Sequence, residues 1–136
     1  MLDEPTAASD LSQAELLDRE CRTWAMLCHL SALLQFFLPT LGNVIGPVIV
    51  WALKRDDHPF IDANGKESVN FQLSMTLYLW ASGLLFILTV YFCIGFLFVP
   101  VILILGVLDI VLLIIAAIKA YDGVLYRYPL TIRFIR

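Results

Sequence analysis

One acidic residue lies in the middle of the longest apolar stretch of this chain. Residues 68–118 contain a single formal charge among 51 residues, and that charge belongs to Asp109. A carboxylate near the middle of a lipid bilayer costs about 3 kcal/mol or more, so Asp109 must be neutral, paired or turned towards the protein interior. Asp109 is therefore the first residue at which chemistry is expected.

The partners of Asp109 can be predicted from helix geometry. If the helices before and after a short turn are antiparallel, Asp109 lies at the depth of Tyr78, which has Ser74 and Ser82 one turn away on either side. Two polar residues earlier in the chain, His29 and Gln35, lie at a broadly similar depth. The predicted intramembrane polar cluster therefore contains Asp109, Tyr78, Ser74, Ser82, His29 and Gln35.

Two roles remain open for this cluster. Asp109 and His29 could relay protons or cations, as in a small transporter. Alternatively, a protonated Asp109 could hydrogen-bond Tyr78 or a serine and so hold the helices together. The apolar stretches contain no second acid and no basic partner, which favours the structural role.

The polar loop over 54–65 contains side chains that could bind a divalent metal, namely Asp56, Asp57, His58 and Asp62. Their spacing matches no tight metal site, so a solvated loop is the simpler interpretation, and we predict no metal and no cofactor. The chain also lacks the GxSxG, HExxH, phosphate-loop and Rossmann patterns. We therefore predict that it is not an enzyme.

The basic residues form a second candidate surface. None of the nine Lys and Arg residues falls within 24–53 or 68–118, so they flank the apolar stretches. Basic groups in such positions retain a segment in the cytoplasm and can hold anionic lipid headgroups. The candidate residues for cytoplasmic contacts or headgroup binding are Lys54, Arg55, Lys66, Lys119, Arg127, Arg133 and Arg136.

Helices in a membrane must position these residues. With 136 residues, of which 60% are hydrophobic, the chain has too few polar side chains to cover a water-soluble globule. About 20 apolar residues cross a bilayer, so the longest apolar stretch predicts two spans, over about 66–93 and 100–121. The predicted fold class is an all-α integral membrane protein, with one membrane domain over 12–136 after a disordered acidic tail over 1–11.

Residues 24–53 are long for one span and short for two. Their middle, Leu38-Pro39-Thr40-Leu41-Gly42-Asn43, is rich in turn-forming residues. A turn there places every Lys and Arg on one face of the membrane, as the positive-inside rule favours. We predict a first hairpin, short or re-entrant, of helices over about 13–38 and 43–54, with a single crossing as the alternative. The four-helix bundle then consists of two helical hairpins with both termini cytoplasmic.

Local signals predict where the elements begin and end. Ser12 and Glu15 have the spacing of a capping box at the start of the first helix. Asn64, three residues before Glu67, has the same pattern and predicts the cap of the third helix. Residues 122–136 mix aromatic and basic side chains, so we expect a basic tail along the inner membrane surface.

Several short stretches from about Arg22 to the C terminus carry a resemblance. They include Trp24-Ala-Met-Leu-Cys-His29-Leu-Ser, Ile45-Gly-Pro47, Pro59 through Glu67, Asn70-Phe71-Gln72, Ala116-Ala-Ile-Lys-Ala120 and Gly123 through Arg133. In them the chain resembles a family of small bacterial membrane proteins that is itself similar to the membrane subunit of the chloroplast inner-envelope (Tic) protein import translocon. The resemblance implies an all-helical membrane domain and a role in protein translocation or assembly.

The sequence thus predicts a non-enzymatic multi-pass protein of a bacterial inner membrane that works through protein–protein contacts, as a translocon-like or assembly component. The alternative is a small transporter or proton-conducting protein that uses Asp109 and His29. Expected partners are membrane lipids and other membrane proteins or a second copy of the chain, but not nucleic acid.

Overall fold

A computed structural model describes the backbone of residues 4–136 and the side chains of Glu15 and residues 18–136. Over this range all regular secondary structure is helical and there is no strand, which confirms the predicted all-α class. The four helices are α1 (Glu4–Leu30), α2 (Gly42–Lys54), α3 (Pro59–Thr89) and α4 (Phe98–Tyr121). A 3₁₀ turn, Ser31–Phe36, continues α1, and two shorter ones, Val90–Phe92 and Gly95–Leu97, connect α3 to α4.

Two helical segments are long and apolar enough to cross a membrane, namely Pro59–Phe92 and Gly95–Tyr121. Helix α2 is apolar but shorter. Helix α1 is described from Glu4, before the Ser12–Glu15 pair at which the sequence predicts its start. The side chains of Ser12 and of the whole predicted disordered tail over 1–11 lie outside those described, so that tail stays a prediction.

Helix α3 begins at Pro59, so the predicted loop over 54–65 is shorter than expected. The N-cap residue is His58, whose Nδ1 accepts a hydrogen bond from the Phe60 backbone N–H at 3.1 Å. A proline at the first helical position needs no partner for its nitrogen, so His58 and Pro59 together start the helix. The predicted cap, Asn64, is instead a fully buried residue inside α3.

The chain reverses direction after the 3₁₀ turn that follows α1. A Cβ atom on Gly46 of α2 would overlap the carbonyl oxygen of Ser31, so the two backbones touch. At the far end of α2, Lys54 Nζ lies 4.7 Å from the centroid of the Trp24 ring. Helix α2 therefore runs back along α1, and how deeply this pair enters the membrane stays a prediction.

Small side chains line the contacts of α1 with its neighbours. Residues at helical spacing on α1 are buried, and so are three alanines on α4, near the end of that helix. Helices with small residues at their contacts approach closely, which is a common way of packing in lipid. The buried small residues are Cys21, Ala25 and Cys28 on α1, Ala32 in the 3₁₀ turn that continues it, and Ala116, Ala117 and Ala120 on α4.

Residues 122–136, which are predicted to lie along the inner membrane surface, pack against the helices of the chain. Leu130 adopts a left-handed conformation with φ of 59°, just after Pro129, and the chain turns back there. The segment packs along α3, with the Leu130 carbonyl at the level of Tyr78 and the Ile135 carbonyl at the level of Asn70. We call residues 122–136 the C-terminal strap.

Candidate functional site

The carboxyl group of Asp109 belongs to a buried network of amides. Asp109 is 2% exposed, and its Oδ1 accepts a hydrogen bond from Gln72 Nε2 at 2.9 Å. Gln72 Oε1 in turn accepts from Asn43 Nδ2 at 3.1 Å, and the same Asn43 nitrogen lies 2.8 Å from Thr76 Oγ1. Gln35 lines the same cavity as Asp109. This Asp109 network joins α2, α3 and α4 through side chains that hydrogen-bond one another.

The predicted partners Tyr78, Ser74 and Ser82 do not contact Asp109. Asp109 meets Gln72, which lies six residues before Tyr78, because α3 and α4 are offset from the register that the sequence count assumes. Among the side chains described, Ser82 forms no hydrogen bond. Of the other five residues predicted to cluster with Asp109, the structure places only Gln35 beside the acid.

Three polar side chains, Asn70, Ser74 and Tyr78, form a stripe along α3 that binds the C-terminal strap instead of Asp109. Asn70 Oδ1 accepts the backbone N–H groups of Phe134 at 3.0 Å and Ile135 at 2.8 Å. Ser74 Oγ accepts the Ile132 N–H at 2.8 Å, and the Tyr78 hydroxyl donates to the Leu130 carbonyl at 2.9 Å. Non-helical backbone is tolerated in lipid only where protein groups satisfy it. The stripe supplies those groups.

His29 forms a separate buried cluster. Its Nδ1 lies 2.8 Å from the Tyr128 hydroxyl and its Nε2 lies 3.1 Å from Asn64 Oδ1. Asn64 Nδ2 donates to the Phe60 carbonyl at 2.8 Å, which fixes the amide with its oxygen towards the histidine. His29 Nε2 therefore carries the proton and donates, and Nδ1 accepts from Tyr128. Both nitrogens have partners within the fold, and neither partner is Asp109, so the predicted Asp109–His29 relay is not assembled.

Two of the side chains over 54–65 that could bind a metal are paired with lysines of the chain. Asp57 Oδ2 lies 2.8 Å from Lys54 Nζ, and this hydrogen bond raises the pKa of Lys54. Asp62 forms an ion pair with Lys66 at 2.7 Å. Within the described part of the chain, no group of three His, Cys, Asp or Glu side chains could hold a metal ion.

Four of the seven predicted contact residues come together around one cavity. Lys66 on α3 faces Arg127, Arg133 and Arg136 of the C-terminal strap across a space of about 260 Å³. Arg133 is also paired with Glu67 at 3.1 Å. The other three predicted residues, Lys54, Arg55 and Lys119, lie at helix ends outside this cavity.

Residues 20–135 match the profile of the Magnetosome magnetite crystal formation protein family (MamF/MmsF). The chain belongs to this family. Its members are magnetosome membrane proteins involved in crystal formation, and the two long apolar helices agree with a membrane protein. Neither the curated proteins nor the solved structures contain a match.

Membership of the MamF/MmsF family corrects the resemblance to the Tic translocon, which no match supports. The stretches that suggested it include His29 and Asn70, which the structure uses to hold the C-terminal strap against α1 and α3. Buried polar residues of this kind meet a packing requirement that different helical membrane proteins share. They are therefore a weak guide to which family a chain belongs to.

Five buried polar residues of this MamF/MmsF family member could not be identified from the sequence. A signal was present for Asn43 and Gln72, because a polar residue within an apolar stretch is costly in lipid unless it has a partner. The sequence predicts a helix cap at Asn64 and Glu67 and assigns no role to the other three. The missed residues are Asn43, Asn64, Glu67, Gln72 and Tyr128.

Proposed function

We propose that this chain is a non-enzymatic, multi-pass protein of the magnetosome membrane that contributes to crystal formation through protein contacts at its charged, cytoplasmic end. The supporting observation is the separation of charge along the helices. Within residues 23–53 and 68–118, the only charged side chain is Asp109, which is buried. The nine basic residues all lie beyond these limits.

The positive-inside rule places such a charged end in the cytoplasm. The opposite end contains the connection between α3 and α4, where exposed residues include Tyr91, Phe92 and Phe96. Iron ions are held by carboxylate, imidazole or thiolate groups. Residues 90–97 carry no carboxylate or imidazole, and only the thiol of Cys93 and the phenol of Tyr91 could bind iron there, so direct contact with an iron mineral has few ligands to support it.

Two features support contacts as the mode of action. The buried polar groups at Asp109 and His29 have partners within the chain, as a structural role requires. At the charged end, by contrast, Arg55 and Lys119 are exposed. Charged groups at the rim of an interface select partners and orient them.

Charge reversal at the cytoplasmic end tests this proposal. The double variant Arg55→Glu, Lys119→Glu is expressed in magnetite-forming cells that lack the native copy. We expect it to accumulate normally in the membrane. We also expect it to lose its crosslinked partners and its effect on crystal size and number. The charge-preserving pair Arg55→Lys, Lys119→Arg is the matched control and should behave as the native chain.

A second control lies at the apolar end. Leu84→Ala removes an exposed side chain of α3 and should leave crosslinks and crystals unchanged. Normal crystals with the charge-reversed pair, or loss of crystals with the Leu84 variant alone, would contradict a role for the charged end.

A further inference from the structure

The cavity between α3 and the C-terminal strap has the features of a ligand site. Lys66, Glu67 and Asn70 form one wall, and Arg127, Arg133 and Arg136 contribute from the strap. Asn70 binds the backbone of residues 134 and 135 through three hydrogen bonds of 2.8–3.0 Å, which holds the neighbouring arginines in place.

The charges in this cavity do not balance. Lys66 is paired with Asp62, and Arg133 is paired with Glu67. Arg127 and Arg136 form no ion pair with any side chain that the structure describes, and both line the cavity. The planar guanidinium group binds phosphate through two parallel hydrogen bonds, so two such groups beside one cavity favour a phosphate ligand.

Glu67 is an acidic residue in the wall of this cavity, and it places a second requirement on the ligand. Its side chain is 10% exposed, and Oε1 forms the ion pair with Arg133 at 3.1 Å. Its other oxygen, Oε2, is buried and has no hydrogen-bond partner. A carboxylate oxygen can only accept, and a buried one without a donor is unfavourable. The ligand should therefore carry an N–H donor as well as a phosphate.

We propose that this cavity binds the headgroup of a phospholipid with a primary amine, such as phosphatidylethanolamine. The phosphate is held by Arg127 and Arg136, and the ammonium group donates to Glu67 Oε2. The inference goes beyond the role in crystal formation and does not depend on it.

The position of the cavity favours a lipid over a soluble phosphate compound. Lys66 and Glu67 immediately precede the apolar run that begins at residue 68, so the cavity lies where lipid headgroups are expected. Leu125 and Ile135 also line it and offer apolar surface to the part of the lipid nearest the headgroup.

Lipid binding to the full chain in detergent, followed by native mass spectrometry, tests the inference. The probes are phosphatidylethanolamine, its N-monomethyl and N,N-dimethyl derivatives, phosphatidylcholine and phosphatidylglycerol, all with the same acyl chains. Because each methyl group removes one N–H donor, we expect affinity to fall along the series, by about tenfold or more from the first to phosphatidylcholine. Equal affinity along the series would overturn the role of Glu67 without any mutation.

Three variants then separate the two halves of the site. Arg127→Gln with Arg136→Gln should weaken binding of every phospholipid by at least about tenfold. Glu67→Gln should abolish the preference for phosphatidylethanolamine over phosphatidylcholine, and it should strengthen phosphatidylglycerol binding because Arg133 becomes free. Arg19→Gln removes an exposed basic group outside the cavity and should change no affinity more than about twofold.

Two outcomes would overturn the proposal as a lipid site. One is native affinity in the Arg127, Arg136 double variant. The other is displacement of the bound lipid by O-phosphoethanolamine or inorganic phosphate at equal concentration, which would identify the ligand as a soluble phosphate compound. The ratio of two lipid affinities is measured within each variant, so a partial loss of folded protein does not change it.

Discussion

His29 Nδ1 lies 2.8 Å from the hydroxyl oxygen of Tyr128, although 99 residues separate them in the chain. The Tyr128 ring also stacks on Phe71, with centroids 3.9 Å apart and planes within 10° of parallel. One side chain of the C-terminal strap therefore joins α1 to α3. Because Tyr128 is only 4% exposed, the strap is part of the core rather than an appendage.

The Tyr128 hydroxyl should contribute measurably to stability. Tyr128→Phe keeps the ring against Phe71 but leaves His29 Nδ1 as a buried acceptor without a donor, which costs about 1–3 kcal/mol. The measurement is equilibrium unfolding in mixed detergent and SDS. Tyr126→Phe is the matched control, because the structure gives its hydroxyl no hydrogen bond to a described group. A loss in the control as large as that in Tyr128→Phe would refute the role of the His29 contact.

Asp109 should act as an acceptor rather than as a proton carrier. Asp109→Asn keeps an oxygen for the Gln72 Nε2 group, so we expect the free energy of unfolding to change by less than about 1 kcal/mol. Asp109→Leu leaves the Gln72 donor unpaired and should cost about 1–3 kcal/mol in the same assay.

The same Asp109 variants separate the two roles considered from the sequence. Reconstituted in vesicles with a pH-sensitive dye inside, the native chain and Asp109→Asn should show the same low proton flux. A flux that the native chain supports and the folded Asn variant abolishes would instead indicate a transporter.

Gly46 should be the least replaceable glycine of α2. A Cβ atom there would meet the Ser31 backbone, which cannot move aside as a flexible side chain could, so Gly46→Ala should cost about 1–3 kcal/mol or more. Gly83 and Gly106 lie on helices with nothing within 4 Å of the added atom. Alanine at either of these positions should stabilise its helix by up to about 1 kcal/mol. The free energy of unfolding in detergent gives all three values, and equal effects would disprove the α1–α2 contact.

The sequence was sufficient for the features that depend on local composition. The apolar run predicts a span over about 100–121, and the structure has α4 at Phe98–Tyr121. Gly123 adopts the left-handed conformation with φ of 79° that a helix C-terminal cap requires. Both signals depend only on residues that are close in the chain.

The partners of the polar residues could not be predicted in the same way. Counting residues gives an approximate depth for Asp109, but a register offset of six residues replaces Tyr78 by Gln72. Depth also does not reveal which segment covers a helix face. The stripe on α3 hydrogen-bonds the C-terminal strap. The non-helical backbone of the strap has several N–H and C=O groups that need partners, whereas Asp109 has one carboxyl group.

The three cysteines provide a test of topology without any engineering. Cys93 is exposed on the connection between α3 and α4, whereas Cys21 and Cys28 are buried. Burial also raises the pKa of the Cys21 thiol, mainly through desolvation, so little reactive thiolate forms there near neutral pH. A maleimide that cannot cross membranes should therefore label the native chain at Cys93 alone, and only from the side opposite the cytoplasm.

The labelling result bears directly on the proposed arrangement in the membrane. When the chain is expressed in the inner membrane of a host that forms no magnetosomes, spheroplasts should give a labelled chain, and sealed inverted vesicles should not until detergent is added. Cys93→Ser is the control that should abolish the signal in both preparations. Labelling of Cys93 from the cytoplasmic side would place the apolar end of α3 and α4 together with the basic residues. It would thereby contradict the separation of charge across the membrane on which the proposed function depends.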